Sequence, residues 1–488
     1  MQQYRIHELA EAKGRQLDHA RPDAVAKVHS GGKLTARERI AALLDPDSEV
    51  EYGSIAAVDP DGPGAGWIPE AGGVDYVGTI DGQTVIASST DYTDRGGGYG
   101  AARLERLMGI AYDHRWPIVF FVDGGGSRAR HPRVGLGHIE TSGAVGRFHL
   151  FDGMAEMSGW IPTVAIVSGP SFAGHASLAG FSDFVISTPG SSIGMGGPPM
   201  VEAALGITLT PNELAGAEMH EVLGGIDLLV PDEHAAIEAA QRYISYQRDL
   251  PGGEGSEGAA RIADLVPEEG PYDVRSVVEA LVDDDTFMEL RPAFARSIVT
   301  GFARIGGRSV GIIASQQDSD GGLPNGLIDE NAATKIARHV ELCDGYDFPI
   351  VVMIDSDGCV TTWHDDNGEG DPKTEPGVNR WHTRAIVAHQ HRTVPVYGVQ
   401  LRRARGMATH VLLGSMNART IPLQHVAWPT VEIGHVDGFS SVHNRNAFDD
   451  VIDPAETRTR IARLLGHLPD RATVRAAQSS KKHPIDTW

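Results

Sequence analysis

Cysteine is nearly absent: of 488 residues only Cys343 and Cys359 carry a thiol. That excludes a disulfide framework and a cysteine metal cluster, and it makes a reducing cytoplasm the simplest compartment. Basic residues are also few, 42 Lys and Arg against 65 Asp and Glu, for a formal charge of −23. Neutralising phosphates needs clustered cations, so this balance argues against nucleic acid and anionic membranes as partners, although a local basic patch can still hold a small phosphorylated ligand. No apolar run reaches the length of a membrane span, and the opening MQQYRIHELAEAKGRQ has no apolar core of the kind a secretory signal carries. Low-complexity tracts are missing too. The expectation is a soluble protein.

What is plentiful is glycine, 59 residues in a chain that is 41% hydrophobic, a balance that fits a glycine-rich α/β enzyme better than a coiled coil or a fibre. The length exceeds one ordinary core, so two domains are expected. Residues 1–30 read as a charged helix, and Thr35 followed by Glu38 reads as a capped helix start. Then come β-branched runs around Asp81-Gly82, a helical stretch AARLERLMGIAYDHR, a buried strand WPIVFFV, and the loop DGGGSR. The same order returns in FARIGGRSVGIIAS, DENAATKIARHVELCDGYD and FPIVVMIDSDG, while VPVYGVQLRRARGMATHVLLGSM parallels IPTVAIVSGPSFAGHASLAGFSDF. The chain therefore reads as an internal duplication. Residues 248–274, rich in Gly, Pro and Glu, read as the linker, with domains at 1–255 and 256–488.

Two glycine-rich turns, VDGGGSRAR at 122–130 and SGPSFAGHAS at 168–177, each follow a buried strand. Glycine lets backbone turn sharply or lets a ligand lie close against it. In α/β folds this is where backbone N–H groups meet ligands, and two such groups can stabilise a carbonyl oxygen as it becomes negative. A tight turn packed by small side chains is the competing explanation.

On these residues, together with GGKLTARERIAALLDP, GFARIGGRSVGII, AWPTVEIG and FDDVIDPAETRTRIARLL, nearly the whole chain resembles the carboxyltransferase (β) subunit of biotin-dependent acyl-CoA carboxylases and the related biotin-linked decarboxylases. The resemblance implies an α/β fold of two homologous crotonase-like (ClpP/crotonase) ββα superhelix domains. It further implies a homo-oligomer, hexameric or dimer-based, with the active site across a dimer interface. The N-terminal domain would bind acyl-CoA, coenzyme A being part of the substrate. Carried over by position, Gly125, Gly126 and Ser127 form the first substrate loop, and Ala173 and Gly174 the turn whose N–H groups receive the thioester oxygen of an enolate. Ala173 stands where the family has glycine, a mild change on this reading. Arg128 is open to a ligand carboxylate or phosphate or to a structural salt bridge, and His175 to a packing or a binding role.

The C-terminal domain of the family binds carboxybiotin, and here the chain departs. DSDGCVTTWHDDNGEGDPKTEPGVNRWH replaces the usual proline- and phenylalanine-containing loop, and RGMATH, residues 405–410, replaces Tyr-Gly-Gly-Ala-Tyr. Gly406, Met407, Ala408 and His410 would form this second turn, with Met407 crowding the biotin ring and His410 facing the acyl pocket. Biotin would arrive in trans, on a biotin carboxylase or biotin carrier partner.

Carboxyl transfer needs no dedicated protein base when the biotin ureido group takes that part. Without biotin the protein must supply one, and the C-terminal half offers His364, His382, His389, His391, His410, His425, His435 and His443 with Asp355, Asp357, Asp365 and Asp366. No pair has compelling metal-ligand spacing, so no metal is expected. The acidic run 364–371 reads as a solvated loop or a lid, and Trp363, Trp381 and Trp428 as packing residues or acyl contacts. The leading expectation is an acyl-CoA carboxyltransferase. Its rivals are a biotin-independent decarboxylase or hydrolase using the same enolate site, and a non-catalytic acyl-CoA-binding scaffold.

Overall fold

Two hairpin turns, each closed by a pair of residues with positive φ, begin the two halves of the chain. Asp81 (φ 49°) and Gly82 (φ 74°) make one, Gly306 (φ 62°) and Gly307 (φ 80°) the other. Left-handed backbone at both central positions is the type I′ turn that matches strand twist. Each turn is held by a carboxylate from outside the hairpin. Asp45 accepts the N–H groups of Asp81 and Gly82 at 2.9 and 2.8 Å, and Asp283 those of Gly306 and Gly307 at 2.9 and 2.7 Å.

The computed structural model describes residues 2–14, 16–53, 72–93, 97, 101–124, 148–252, 257–318, 322–360, 374–414, 422–433, 436–437 and 448–487. Contacts divide the chain into Met1–Ser245 and Tyr246–Asp486. In the first unit, β1 (Val50–Tyr52), β2 (Gly73–Ile80), β3 (Gln83–Thr90), β4 (Ile118–Phe121), β5 (Thr163–Val167), β6 (Pro170–Phe172), β7 (Phe184–Ser187), β8 (Ser192–Gly194) and β9 (Leu228–Leu229) follow one another. Its main sheet runs β1-β2-β3-β4-β5-β7-β9, and β6 pairs with β8 beside it. The second unit has β10 (Met288–Leu290), β11 (Ile298–Ile305), β12 (Arg308–Ser315), β13 (Ile350–Ser356), β14 (Val396–Ala404), β15 (Gln424–Ala427), β16 (Glu432–Ile433), β17 (Val436–Asp437) and β18 (Asp450–Val451). Its main path, β10-β11-β12-β13-β14-β15-β18, repeats the first sheet. In both, the first three strands are antiparallel and the rest parallel.

The parallel strands are mostly apolar because both faces are covered, with polar residues gathered towards their ends. Every residue of β4, β5 and β13 is buried. Leu104, Leu107 and Met108 of the helix Ala101–His114 and Met154 and Met157 of the helix Leu150–Met157 pack with Phe120, Ala165 and Val167. A side chain of that size contributes about 1.5–3 kcal/mol when fully buried. In the second unit Val277, Val278 and Leu281 of the helix Val274–Leu281 meet Val351, Met353 and Tyr397.

Local signals are met where they rest on strong chemistry. Thr35 and Glu38 form a capping box at the helix Ala36–Leu43. The single charged helix expected over 1–30 is instead broken, into Gln2–Gly14, a short 3₁₀ turn Asp18–Ala20, and Pro22–Ser30. Pro22 lacks the N–H that would continue a helix and begins a new one at its first position. Likewise the segment expected to be an unstructured linker contains the 3₁₀ helix Glu257–Leu265, and the contact division falls before it rather than at 255.

Candidate active site

The parallel strands of the first unit end in a buried charge cluster. Asp123, two residues past β4, accepts from Arg39 Nη2 at 2.7 Å and from the Ser168 N–H at 3.1 Å, and Lys33 Nζ lies 3.7 Å away. Burial alone would raise this carboxyl, but Arg39 and then Lys33 outweigh it and hold the group at about 2. Arg39 also donates to Ser168 Oγ at 2.8 Å and, closely, to Glu233. Asp123 is thus a permanently charged anchor for the chain that follows.

From this anchor the backbone enters the two glycine turns. Gly124 donates to the Pro170 carbonyl at 2.7 Å, and Phe172 donates back to the Gly124 carbonyl at 3.0 Å. Strand β6 then ends in a sharp elbow at Ala173, and the helix Gly174–Phe181 begins. Ala173 has φ 54° and ψ −119°, a conformation glycine adopts freely and a residue with a Cβ does not. The alanine-for-glycine exchange is therefore a strained position, not the mild change expected from sequence. Its N–H is also committed, donating to the Gly194 carbonyl at 3.0 Å. That leaves Gly174 as the donor of the pair. Its N–H opens the helix and has no acceptor among the described residues, and its Cα faces the Phe151 ring with room for one carbon, 3.5 Å from Phe151 Cζ. An N–H at the first turn of a helix has no partner within its own helix and is open to a ligand acceptor.

His175 is buried beneath this turn. Its Nε2 is 2.9 Å from the Gly97 carbonyl, burial lowers its pKa, and its ring fills the space a Cβ at Gly124 would need. It packs the loop from below. Gly125, Gly126, Ser127 and Arg128 lie outside the described residues.

Beside the cluster is a cavity of about 340 Å³ whose walls include Lys27, Lys33, Thr35, Arg39, Thr90 and Tyr92. It lies at the carboxyl ends of β3 and β4, the ligand-binding edge of a parallel sheet. Sequence reasoning assigned no role to Lys27, Lys33 or Arg39. The signal for Lys33 and Arg39 was the segment GGKLTARER, whose basic residues had no visible partner, and Lys27 lies before it.

The second unit repeats the elbow. Thr163 pairs with Ile118 and Val396 with Ile350. Ten residues beyond each of these paired positions the positive φ falls on Ala173 (54°) and on Gly406 (57°). Met407 is then the counterpart of Gly174. It caps the helix Ala408–Leu412, and its side chain is 49% exposed, standing out beside open space at Gly406. Ala408 is buried, and His410 is on the exposed face of the same short helix.

The anchor is repeated as well. Asp355, fully buried at the end of β13, binds Arg402 Nε at 2.7 Å, Arg403 Nε at 3.3 Å and the Tyr272 hydroxyl at 3.1 Å. Asp357 lies 3.2 Å from Arg403 and 3.0 Å from Arg405. Both carboxylates are held by guanidinium groups and are poor candidates for a proton-accepting base.

The expected supply of histidine bases shrinks for a different reason, burial. It pushes His389 down to about 3, with Arg392 beside it adding to the effect, and His425 down to about 4 although Asp449 opposes this. Both are neutral core residues. His382 Nε2 is 3.2 Å from the Ile328 carbonyl, and His391 is exposed. His364, Asp365, Asp366, His435, His443 and Trp363 lie outside the described residues, as does the acidic run 364–371. Trp428 is core, donating to Thr457 Oγ1 at 3.0 Å. Among the described residues no three His, Cys, Asp or Glu converge as metal ligands, and no helix is long and apolar enough to cross a membrane.

Known proteins resemble the chain in sequence and in fold. The chain is 31% identical to the methylmalonyl-CoA carboxyltransferase 12S subunit of Propionibacterium freudenreichii subsp. shermanii, over 94% of this chain and 92% of that one. It is 32% identical to the biotin-dependent acetyl-/propionyl-coenzyme A carboxylase beta5 subunit of Mycobacterium tuberculosis (strain CDC 1551 / Oshkosh), over 88% and 78%. A crystal structure of transcarboxylase 12S, a hexamer with methylmalonyl-coenzyme A and methylmalonic acid bound, superposes with a TM-score of 0.83 at 29% identity and covers 99% of both chains. The model of the carboxyl transferase domain matches residues 27–443. The two repeated units are crotonase-like, and the chain belongs to the carboxyl transferase family.

Proposed function

We propose that the chain is the carboxyltransferase subunit of an acyl-CoA carboxylase, moving a carboxyl group from carboxybiotin to the α-carbon of an acyl-CoA. The observation that carries this reading is the duplicated elbow, one at Ala173–Gly174 and one at Gly406–Met407, each at the carboxyl ends of parallel strands. A reaction that joins two carbonyl-bearing partners through an enolate needs two such turns. In the first unit Gly174 N–H receives the thioester oxygen as the α-proton leaves, and the cavity with Lys27 and Lys33 holds the coenzyme A portion. In the second, the backbone at 406–408 receives the biotin of a carrier partner. When bound there, biotin supplies the carboxyl group and, through its ureido group, the proton acceptor. Its approach is compatible with the open space at Gly406, and the exposed Met407 side chain has to turn aside.

The residues of the second unit support dependence on biotin. Among the described residues His389 and His425 are neutral in the core and Asp355 is held by two arginines, which fits a base supplied by biotin. Met407 is the single observation that favours the alternative, a biotin-independent decarboxylase or hydrolase. For assembly, Met195, Met200, Leu205, Met219, Val222 and Leu223 are exposed along one stretch of the first unit, and we assign them to an interface of a homo-oligomer, hexameric or dimer-based. Two unbonded thiols, Cys343 and Cys359, fit a reducing cytoplasm.

The test is to incubate the purified chain with a panel of acyl-CoA and carboxyacyl-CoA thioesters and follow products by mass spectrometry. The expected result is no turnover alone and turnover once a biotinylated carrier, biotin carboxylase, bicarbonate and ATP are added. Turnover by the chain alone would support the biotin-independent reading, and silence in both arms the non-catalytic scaffold.

A further inference from the structure

We propose that Arg39 is a positioning residue for the thioester-binding turn, acting through Asp123 and Ser168; this rests on the function proposed above. Arg39 belongs to the helix Ala36–Leu43, far in sequence from the glycine turns, and is 3% exposed. Its Nη2 reaches Asp123 at 2.7 Å and Ser168 at 2.8 Å. Asp123 immediately precedes Gly124, and Ser168 immediately precedes Gly169-Pro170. One guanidinium nitrogen therefore ties together the two chain segments from which both turns of the first unit emerge.

The connection from there to the reacting atoms is short. The Gly124 N–H bonds to Pro170 and the Phe172 N–H bonds to Gly124, so the two segments stay laced until β6 ends. Ala173 and Gly174 come next. A shift of Asp123 relative to Ser168 is passed to the direction in which the Gly174 N–H points. Such direction matters because an oxyanion donor works only when aimed at the place where charge develops.

The charges are matched for this purpose. Glu233, at the start of the helix Glu233–Ser245, accepts from the same Arg39 Nη2, and also accepts the Leu34 N–H at 2.5 Å. Two buried carboxylates face Arg39 and, at 3.7 Å from Asp123, Lys33. Deleting Arg39 would leave uncompensated buried charge and threaten folding, so the informative variant is Arg39→Lys, which keeps the charge but, one bond shorter, draws the donor back from the place of Nη2, where Asp123, Ser168 and Glu233 converge. Glu233→Gln, which keeps the shape and removes one of the two carboxylate charges facing the same Nη2, is the second.

The experiment combines steady-state kinetics with hydrogen exchange on the full chain. For Arg39→Lys the expected result is a fall in kcat of at least about tenfold with KM for acyl-CoA within about threefold. Amide exchange should rise in segment 168–178 and stay unchanged in the helix Ala101–His114. Glu233→Gln should show the same pattern more weakly. An unchanged kcat with unchanged exchange at 168–178, or exchange that rises equally throughout the first unit, overturns the proposal. If the wild-type chain turns over no acyl-CoA, the functional reading fails separately. The exchange pattern then decides the positioning claim alone, a local rise upholding it and no local rise overturning it.

Discussion

Replacing Ala173 by glycine should stabilise the first unit while leaving chemistry in place. A residue with a Cβ at φ 54°, ψ −119° carries strain of about 1–3 kcal/mol. Glycine removes it, at a cost of about 0.5–1 kcal/mol in backbone entropy and a fraction of the roughly 0.8 kcal/mol that a buried methyl contributes, since Ala173 is only half-buried. With mid-range values the net gain is about 1 kcal/mol, and for a unit of this size each kcal/mol moves Tm by about 2–4 °C. Gly406→Ala is the mirror experiment. The φ there is 57° and no atom lies within 4 Å of the added Cβ, so only backbone strain acts, and the second unit should lose about 1 kcal/mol or more. Calorimetry on both variants reads the result. A fall in Tm for Ala173→Gly, or a rise for Gly406→Ala, would refute the assignment of strain to the elbows.

Other expectations concern the second unit and its carboxyl-terminal segment. His389 and His425, held neutral in the core, take up protons on unfolding, so stability should drop by a few kcal/mol as pH falls from about 6.5 towards 4, measurable as a pH-dependent denaturant midpoint. His483 is opposed by burial but raised by its 3.0 Å contact with Asp344, so its contribution is full below about pH 6.5 and disappears as pH rises through its elevated pKa; His483→Ala should flatten that alkaline limb. Lys335 donates to the carbonyls of Arg291, Phe294 and Ile298 at 2.9, 2.8 and 2.8 Å, and Lys335→Met, which leaves three buried acceptors without a donor, should cost at least about 3 kcal/mol in urea denaturation. Met407→Gly should raise kcat/KM for the biotinylated carrier several-fold, and an unchanged value would mean that the side chain does not obstruct the approach.

The parts of the fold that could be read in advance are those encoded over a few residues. Asp81-Gly82 and Gly306-Gly307 specify their turns, Thr35 and Glu38 their cap, and the apolar runs at 118–121 and 350–356 their buried strands. The turn at 173–174 was legible as a place of small residues, but its strain was not, because the choice of which residue takes positive φ depends on where β6 stops pairing with β8. Partners separated by 84 and 194 residues, Asp123 and Glu233 for Arg39, leave no periodic trace. Nor does sequence distinguish a histidine in a core from one in a site. His389 and His391 lie two apart on one helix, and the first is fully buried and the second exposed.

The central claim, carboxyl transfer through the Gly174 turn, is tested most directly by following a ¹³C-labelled carboxyl group. The carrier is charged with labelled bicarbonate, freed of bicarbonate and ATP, and mixed with acyl-CoA and either the wild-type chain or Gly174→Val. The first added carbon stands 3.5 Å from the Phe151 ring, in ordinary contact, so the two valine methyls beyond it must crowd that ring or the space in front of the Gly174 N–H. The account predicts labelled carboxyacyl-CoA with the wild-type chain and essentially none with the folded variant. Label appearing at the same rate with Gly174→Val, or no label appearing with the wild-type chain, would contradict it.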